Sequence, residues 1–397
     1  MILFLIIPVY ILINCYLLHR IHKWLTACSG FFRSRWFVIP YIAVYTLLAL
    51  SLLLAFLLPS SGLQVFVKRV SNYWLGTFLY VLLFVAAADV LRLILKRIPG
   101  KLHSFFFSRR GYVTVGILLT VLVAFCSIWG SINAGIIRTT SYQVSLDKSC
   151  NGRDDLKIAL IADLHLGYSV GNSQMERMVK KVNAMEPDIV LVAGDIFDNE
   201  YEAVQNPDRI AETLSGLQSV YGTYGVFGNH DVTERLLGGF SVSSPKEEVR
   251  DPRFQEFADK AGIRILDDEV VCIDDAFYIV GRMDASKPGD GTSQRLSPEA
   301  VLSGLDQSKP IIVLEHQPRQ LSQLAQNGAD LQLSGHTHDG QTFPGNLVIR
   351  LFWENPCGYL QKDSLHSIVT SGVGVWGPAM RLGTKSEVCQ ITVHFQQ

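Results

Sequence analysis

Acidic side chains are nearly absent from the first third of this 397-residue chain: up to Ala134, Asp89 alone stands against twelve Lys and Arg. The remainder reverses the balance, with 23 basic against 35 acidic residues, so a formal net charge of -1 conceals a basic first part and an acidic second part. An acidic second part lacks the basic stripe by which nucleic acid is bound, and no nucleic-acid partner is expected. The seven cysteines, at 15, 28, 126, 150, 272, 357 and 389, include no C-x-x-C and no zinc-ribbon spacing, which excludes a thiolate metal framework. Internal repeats and low-complexity tracts are also lacking, and the only linker-like piece is residues 133–140.

What is present in the first third is apolar sequence, which lifts the mean hydropathy of the whole chain to +0.23. Residues 1–18, 37–59, 75–95 and 113–134 are apolar runs near the length that spans a bilayer, about 20 residues for a helix. Residues 1–18 lack the basic start and small-residue cleavage site of a signal peptide, so four transmembrane helices are expected. Basic residues crowd the first loop (Arg20, Lys23, Arg33, Arg35) and the third (Lys96, Arg97, Lys101, Arg109, Arg110), while the second has only Lys68 and Arg69. The positive-inside rule then predicts a multi-pass cell-membrane protein with both termini outside the cytoplasm, and Cys150, Cys272, Cys357 and Cys389 in a compartment that permits disulfides. Asp89, three residues before Arg92 in the third run, is placed to pair with it on one helix face. The expected organisation is a transmembrane region over 1–134 and a catalytic domain over 135–397.

In that second part, five short motifs each follow an apolar run that reads as a buried strand. They are Asp163-Leu164-His165, Gly194-Asp195, Gly228-Asn229-His230-Asp231, His316 and Gly335-His336-Thr337-His338. In open α/β sheets ligands bind beyond the carboxyl ends of the strands. If the five strands lie side by side, three Asp, one Asn and five His converge on one crevice. Helical patterns separate the strands: Met175, Met178, Val179, Val182 and Met185 recur at three- and four-residue spacing, and Ser297 with Pro298 marks a helix start. Strand alternating with helix predicts an α/β-layered domain. Imidazole mixed with carboxylate suits Mn, Fe or Zn better than an all-oxygen Ca site. Two such ions, about 3.5–4 Å apart, would supply both an activated nucleophile and positive charge for a phosphoester.

The ordered motifs resemble those of the calcineurin-like metallophosphoesterase superfamily, whose pattern is D-x-H, G-D, G-N-H-[DE], a lone His, then G-H-x-H. The stretch from Thr370-Ser371-Gly372-Val373-Gly374 through Arg381-Leu382-Gly383 and Ser386-Glu387 is similar to the membrane-tethered bacterial branch, with Asp339 a departure where that branch has glycine. The resemblance implies two packed sheets flanked by helices and two divalent metal ions. Asp163, His165 and His338 would hold the first ion and Asn229, His316 and His336 the second, with Asp195 bridging both. It further implies that hydroxide bridging the metals attacks phosphorus, that His230 is the general acid toward the leaving oxygen, and that Asp231 holds His230 in place.

Beside the motifs, Arg282, Asp284 and Asp339 are candidates for substrate contact, with a structural salt bridge the equal alternative for Arg282 and Asp284 after their short apolar strand. Two apolar segments, Leu236, Leu237 and Phe240 past His230, and Phe343, Leu347, Ile349, Leu351, Phe352 and Trp353 past His338, are candidates for choosing the substrate, with Leu236, Leu237, Phe240, Phe352 and Trp353 expected to contact an acyl chain or the interface. The function expected is a membrane-anchored dinuclear-metal phosphoesterase acting on a phosphorylated lipid or cell-envelope intermediate, with membrane lipids or a small phosphoester as partners. The alternatives are a cytoplasm-facing pyrophosphohydrolase of a nucleotide-linked lipid, and a receptor or transporter component whose domain binds phosphate without turnover.

Overall fold

The computed structural model describes residues 2–396 other than 60, 99, 235, 238–239, 242–248, 290 and 292–293, and of residues 2–6, 236–237 and 240–241 it describes the backbone alone. The chain divides into two compact units: Met1–Ile132 with Leu237–Phe240 and Gly377–Met380, and Asn133–Leu236 with Ser241–Trp376 and Arg381–Gln397.

The first unit is helical, with α1 (Ile2–Cys28), α2 (Arg35–Leu57), α3 (Gly62–Leu95), the short α4 (Lys101–Phe106) and α5 (Arg109–Ala134). Ser34 and Ser61 start α2 and α3 by accepting from the backbone N–H of Trp36 and Gln64. Three helices, α2, α3 and α5, are long and apolar enough to cross a membrane. The reading of residues 1–18 as a fourth span falls on α1, which continues to Cys28 and is not among those three. Outward-facing Leu12, Ile39, Leu47, Val121, Phe125 and Ile128 are all exposed, a density of apolar surface that suits hydrocarbon and not water. Asp89 does not pair with Arg92. Arg20 reaches it from α1 and Tyr16 donates to it at 2.6 Å, while the Arg92 guanidinium lies over the rings of Phe107 and Tyr112, 5.1 and 5.0 Å from their centroids.

The second unit is α/β. In chain order its strands are β1 (Ile137–Leu146), β2 (Asp155–Ile161), β3 (Ile189–Ala193), β4 (Thr223–Val226), the two-residue β5 (Leu236–Leu237) and β6 (Phe240–Ser241), β7 (Ile263–Ile265), β8 (Glu269–Ile273), β9 (Phe277–Gly281), β10 (Ile311–Leu314), β11 (Leu331–Ser334), β12 (Gly358–Lys362), β13 (Leu365–Val369) and β14 (Ser386–Phe395). Two six-stranded mixed sheets result, one ordered β1-β14-β2-β3-β4-β7 and the other β12-β13-β11-β10-β9-β8. Their facing sides share one buried core, in which Leu160, Leu191 and Val226 of the first sheet meet Leu314, Leu331 and Ile368 of the second. The outer face of the first sheet is covered by helices: α6 (Asn172–Asn183) buries Met175, Met178 and Val182 of the predicted stripe, α7 (Pro207–Ser215) buries Ile210 and Leu214, and α8 (Pro252–Lys260) buries Phe254 and Phe257. Ser297 caps α9 (Pro298–Leu302) by accepting from the N–H of Ala300. The linker-like stretch 133–140 is the end of α5, a turn and the start of a strand, because α5 runs to Ala134 and β1 begins at Ile137 and pairs along its whole length with β14. All seven cysteines are free.

Candidate metal centre

The five motifs sit where parallel strands end. Asp163, Asp195 and Asn229 follow β2, β3 and β4 of the first sheet, and His316 and His336 follow β10 and β11 of the second. The strands are therefore not five abreast; they are split three and two across facing sheets, and the site forms where the two sets of carboxyl ends meet. Five of the residues turn their side chains inward from left-handed backbone, namely Asp163, His165, Asp195, His336 and His338. Such conformations cost on the order of 1 kcal/mol or more each and concentrate at functional sites. Two glycines permit the close approach: a Cβ on Gly228 would lie 2.2 Å from Asp195 Oδ1, and one on Gly335 would lie 2.6 Å from Asp163 Oδ2.

Three groups of donor atoms result, two built from the expected ligands and a third joining His165 to His230 through Asp198. In the first, Asp163, His165 and His338 gather, with the Nε2 atoms of the two histidines 2.9 Å apart and His338 Nε2 3.6 Å from Asp163 Oδ1. In the second, His316 Nε2 is 3.1 Å from Asp195 Oδ2, from Asn229 Oδ1 and from His336 Nδ1. Asp195 stands between them, because the same Oδ2 is 3.6 Å from His165 Nε2. All seven expected ligands are thus brought together.

Their electrostatics fit cations. Ala193 O can only accept, so the 2.8 Å bond from His316 Nδ1 fixes the hydrogen there and turns the Nε2 lone pair on the second group. Burial disfavours charge on His316, yet the Asp195 carboxylate outweighs it and pushes this imidazole up to about 10. The two carboxylates demand positive charge, and in the protein alone a proton on His316 supplies it; a metal ion would displace that proton. His336 and His338 behave oppositely. Burial, then the neighbouring His316 and His165, holds them well below the usual histidine range and leaves the neutral imidazoles that ligands must be. Burial, reinforced by Asp195 and opposed by His316, pushes Asp163 up to about 6. Imidazole nitrogens 2.9 Å apart can share one proton at most, and their lone pairs converge beside a carboxylate, which is the donor chemistry of a divalent cation.

His230 lies at the edge of this cluster, its ring centroid 4.9 Å from that of His165. Asp231 does not hold it. The Asp231 carboxylate faces away and accepts from the backbone N–H groups of Gly228, Phe197 and Ile196 at 2.7, 2.8 and 3.2 Å, because successive residues on this turn point to opposite sides. Its role is to brace the loops after β3 and β4. The partners of His230 Nδ1 are Asn199 Oδ1 at 2.5 Å and Asp198 Oδ1 at 3.5 Å. Asp198, which also lies 3.7 Å from His165 Nδ1, and Asn199 belong to none of the five motifs; the one signal for them in the sequence is a polar pair three residues past Gly194-Asp195. Arg381 is a further site residue that its motif does not mark as one. It is fully buried and donates to the carbonyl oxygens of Ser371 at 2.6 Å, Gly374 at 2.8 Å and His338 at 3.3 Å, so the tail motif wraps the loop that carries His338.

The substrate candidates fare differently. Arg282 is fully buried and engaged by Glu315 at 2.9 Å, Gln320 at 2.9 Å and Leu296 O at 3.0 Å, and Asp284 accepts from Ser286, Lys287 and Gln317, so neither offers an atom to a substrate. Arg295 joins the same Glu315 at 2.8 Å. Arg282→Leu is accordingly expected to cost about 3 kcal/mol of unfolding free energy, as breaking a buried ion pair does. A urea titration checks this, and an unchanged midpoint with a raised KM would return Arg282 to the substrate site. Asp339 is half-buried with Oδ1 unpartnered among the described residues, and burial pushes its carboxyl up. The side chains of Leu236, Leu237 and Phe240 lie outside the described residues. Two aromatic walls stand beside the candidate site instead: Trp353, 5.0 Å from the His336 ring with Arg319 stacked 4.6 Å over it, and Trp376, 6.0 Å from the His230 ring.

The family model for calcineurin-like phosphoesterases matches residues 156–340. The chain is 30% identical over 342 residues to a Danio rerio "transmembrane protein with metallophosphoesterase domain", covering 80% of this chain and 72% of that protein. It is 31% identical over 301 residues to an uncharacterized metallophosphoesterase of Helicobacter pylori, with coverage of 73% and 72%. A third relative, an uncharacterized metallophosphoesterase of Aquifex aeolicus, is 32% identical over 260 residues, covering 65% of this chain and 92% of that one.

Proposed function

This chain belongs to the calcineurin-like metallophosphoesterase family and is a metal-dependent phosphoester hydrolase, and we propose that its substrate is a phosphorylated lipid or cell-envelope intermediate met at a membrane surface. The observation that carries the lipid reading is the segment from Phe343 to Trp353, which begins five residues after His338. It exposes Phe343, Leu347, Val348, Leu351 and Phe352, the last two by 81% and 74%, and ends with Trp353 against His336. Apolar surface so exposed at the mouth of a polar site is misplaced in water and suits an acyl chain or the bilayer interface. We further propose four spanning helices, α1 joining α2, α3 and α5, with the catalytic part outside the cytoplasm as the loop charges suggest.

In this reading Asp163, His165 and His338 would hold one divalent ion and Asn229, His316 and His336 another, with Asp195, whose Oδ2 faces both groups, available to each. Bound there, the ions supply positive charge for the phosphoryl oxygens and lower the pKa of water. The protein's own groups do the rest. His230, its Nδ1–H given to Asn199, presents Nε2 to pass a proton to the leaving oxygen, and burial, which would discharge it, is outweighed by Asp195 and Asp198, which raise its pKa. Arg319, exposed over Trp353, offers its guanidinium to the phosphate, and Trp353 and Trp376 fix the plane of approach.

Leu351→Ser with Phe352→Ser tests the substrate. Turnover of a phosphorylated lipid in vesicles is expected to fall about tenfold or more, because each Å² of apolar surface that an acyl chain no longer covers costs about 25 cal/mol. Hydrolysis of a soluble nitrophenyl phosphoester is expected to hold. Equal losses on both substrates, or a wild-type protein that prefers the soluble one, would remove the lipid reading while leaving the hydrolase intact.

A further inference from the structure

The helical unit contains a cavity of about 520 Å³ between α1, α3 and α5, the size of a small-ligand pocket. Its lining is polarised along the helices. At one end stand Arg20, Asp89, Arg92 and Tyr112; at the other, Val81 and Val123 lead to Thr77, whose hydroxyl meets Ser127 at 3.1 Å. Thr77 and Arg92 are fifteen residues apart on α3, about 22 Å at 1.5 Å per residue, so one continuous space runs from a charged end into an apolar one.

The charged end is not neutral. Arg20 is paired to Asp89, but the Arg92 guanidinium has no carboxylate and no hydrogen-bond acceptor among the described residues, only the faces of Tyr112 and Phe107. Arg20 Nε is likewise buried without a partner. An arginine in an apolar helix with its donors unsatisfied leaves one uncompensated positive charge facing the cavity. Snorkelling to water would satisfy it, yet the stacking holds the guanidinium over the rings of Phe107 and Tyr112, the second of which lines the cavity.

We infer that this cavity is a binding site for an anionic phospholipid, its phosphate seated between Arg92 and Arg20 and an acyl chain lying along Val81 and Val123. The occupant enters from the bilayer, since Arg92 is in the last turn of α3, beside Lys96 and Arg97, where an anionic headgroup would lie. The site is separate from the metal centre and does not rest on the proposed substrate.

The test is a native mass spectrometry titration of the full chain in nonionic detergent with phosphatidylglycerol and phosphatidylcholine of identical acyl chains. Phosphatidylglycerol is expected to bind about fivefold tighter or better, the effect of one basic residue near an anionic surface. Arg92→Gln is expected to erase that preference and Arg92→Lys to keep it, while Val123→Trp, which fills the apolar end and leaves the charges alone, weakens both lipids. Equal binding of the two lipids by the wild type, or a preference that survives Arg92→Gln, overturns the inference. Full competition by glycerol 3-phosphate, which has no acyl chain, would show a free phosphate site instead of a lipid site. Should Arg92→Gln not fold, undiminished phosphatidylglycerol binding by Val123→Trp overturns it alone.

Discussion

Asp195→Asn is expected to abolish phosphoester hydrolysis, by a factor on the order of 10³ or more, which corresponds to about 4 kcal/mol of transition-state stabilisation. The same substitution is expected to lower bound metal while leaving the circular dichroism of the fold in place. The reason lies in one atom: Asp195 Oδ2 is 3.1 Å from His316 Nε2 and 3.6 Å from His165 Nε2, so it faces both donor groups. An amide keeps the shape and the bond that Oδ1 accepts from the N–H of His230 at 2.8 Å, but it removes the negative charge that a shared position between two cations needs. Measured by elemental analysis beside kcat/KM, a variant with full metal and full rate would show that Asp195 is not the bridging group.

His230→Asn separates acid from ligand. The metals are expected to stay and the rate to fall by about 10² to 10⁴, the usual range for general acid-base catalysis. The loss should depend on the leaving group, being largest for an alkyl phosphoester, whose oxygen must be protonated, and small for a nitrophenyl ester, whose oxygen leaves unaided. Asn199→Ala is expected to give the same pattern more weakly and to shift the alkaline limb of the pH–rate profile, where the acid loses its proton, because Asn199 Oδ1 orients the His230 ring at 2.5 Å. An equal loss for both leaving groups, or a loss of metal from His230→Asn, would contradict the role of acid.

Strand ends and motifs are legible in the sequence because both are local. A short apolar run ended by Gly, Asn or Asp fixes where a strand stops, and the polar residue that follows is then committed to the crevice; Asp163, Asp195, Asn229, His316 and His336 are placed this way and all converge. Sheet membership is not legible, since whether β4 neighbours β7 or β10 depends on pairings between residues far apart in sequence. The same limit hides Asn199, which meets His230 across thirty-one residues, and Arg381, which meets His338 across forty-three. Adjacency misleads for Asp231: next to His230 in sequence, it turns to the opposite side of the loop. For Arg282 the sequence leaves two readings open, since a charged residue after a strand reads alike whether it faces a substrate or a salt-bridge partner, and the buried Glu315 decides for the salt bridge. Asp89 and Arg92 are spaced to pair on α3, but Arg20 of α1 reaches Asp89 first, a choice that helix packing makes and spacing does not.

The central claim is that the clustered histidines and carboxylates hold the ions on which phosphoester hydrolysis depends. It is tested most directly by removing divalent metal from the full-length protein with a chelator and titrating Mn back while following hydrolysis of a nitrophenyl phosphoester. The metal-free protein is expected to be folded and inactive, with activity returning in proportion to bound metal and saturating at two ions per chain. Undiminished hydrolysis by protein shown to be free of metal would contradict the account.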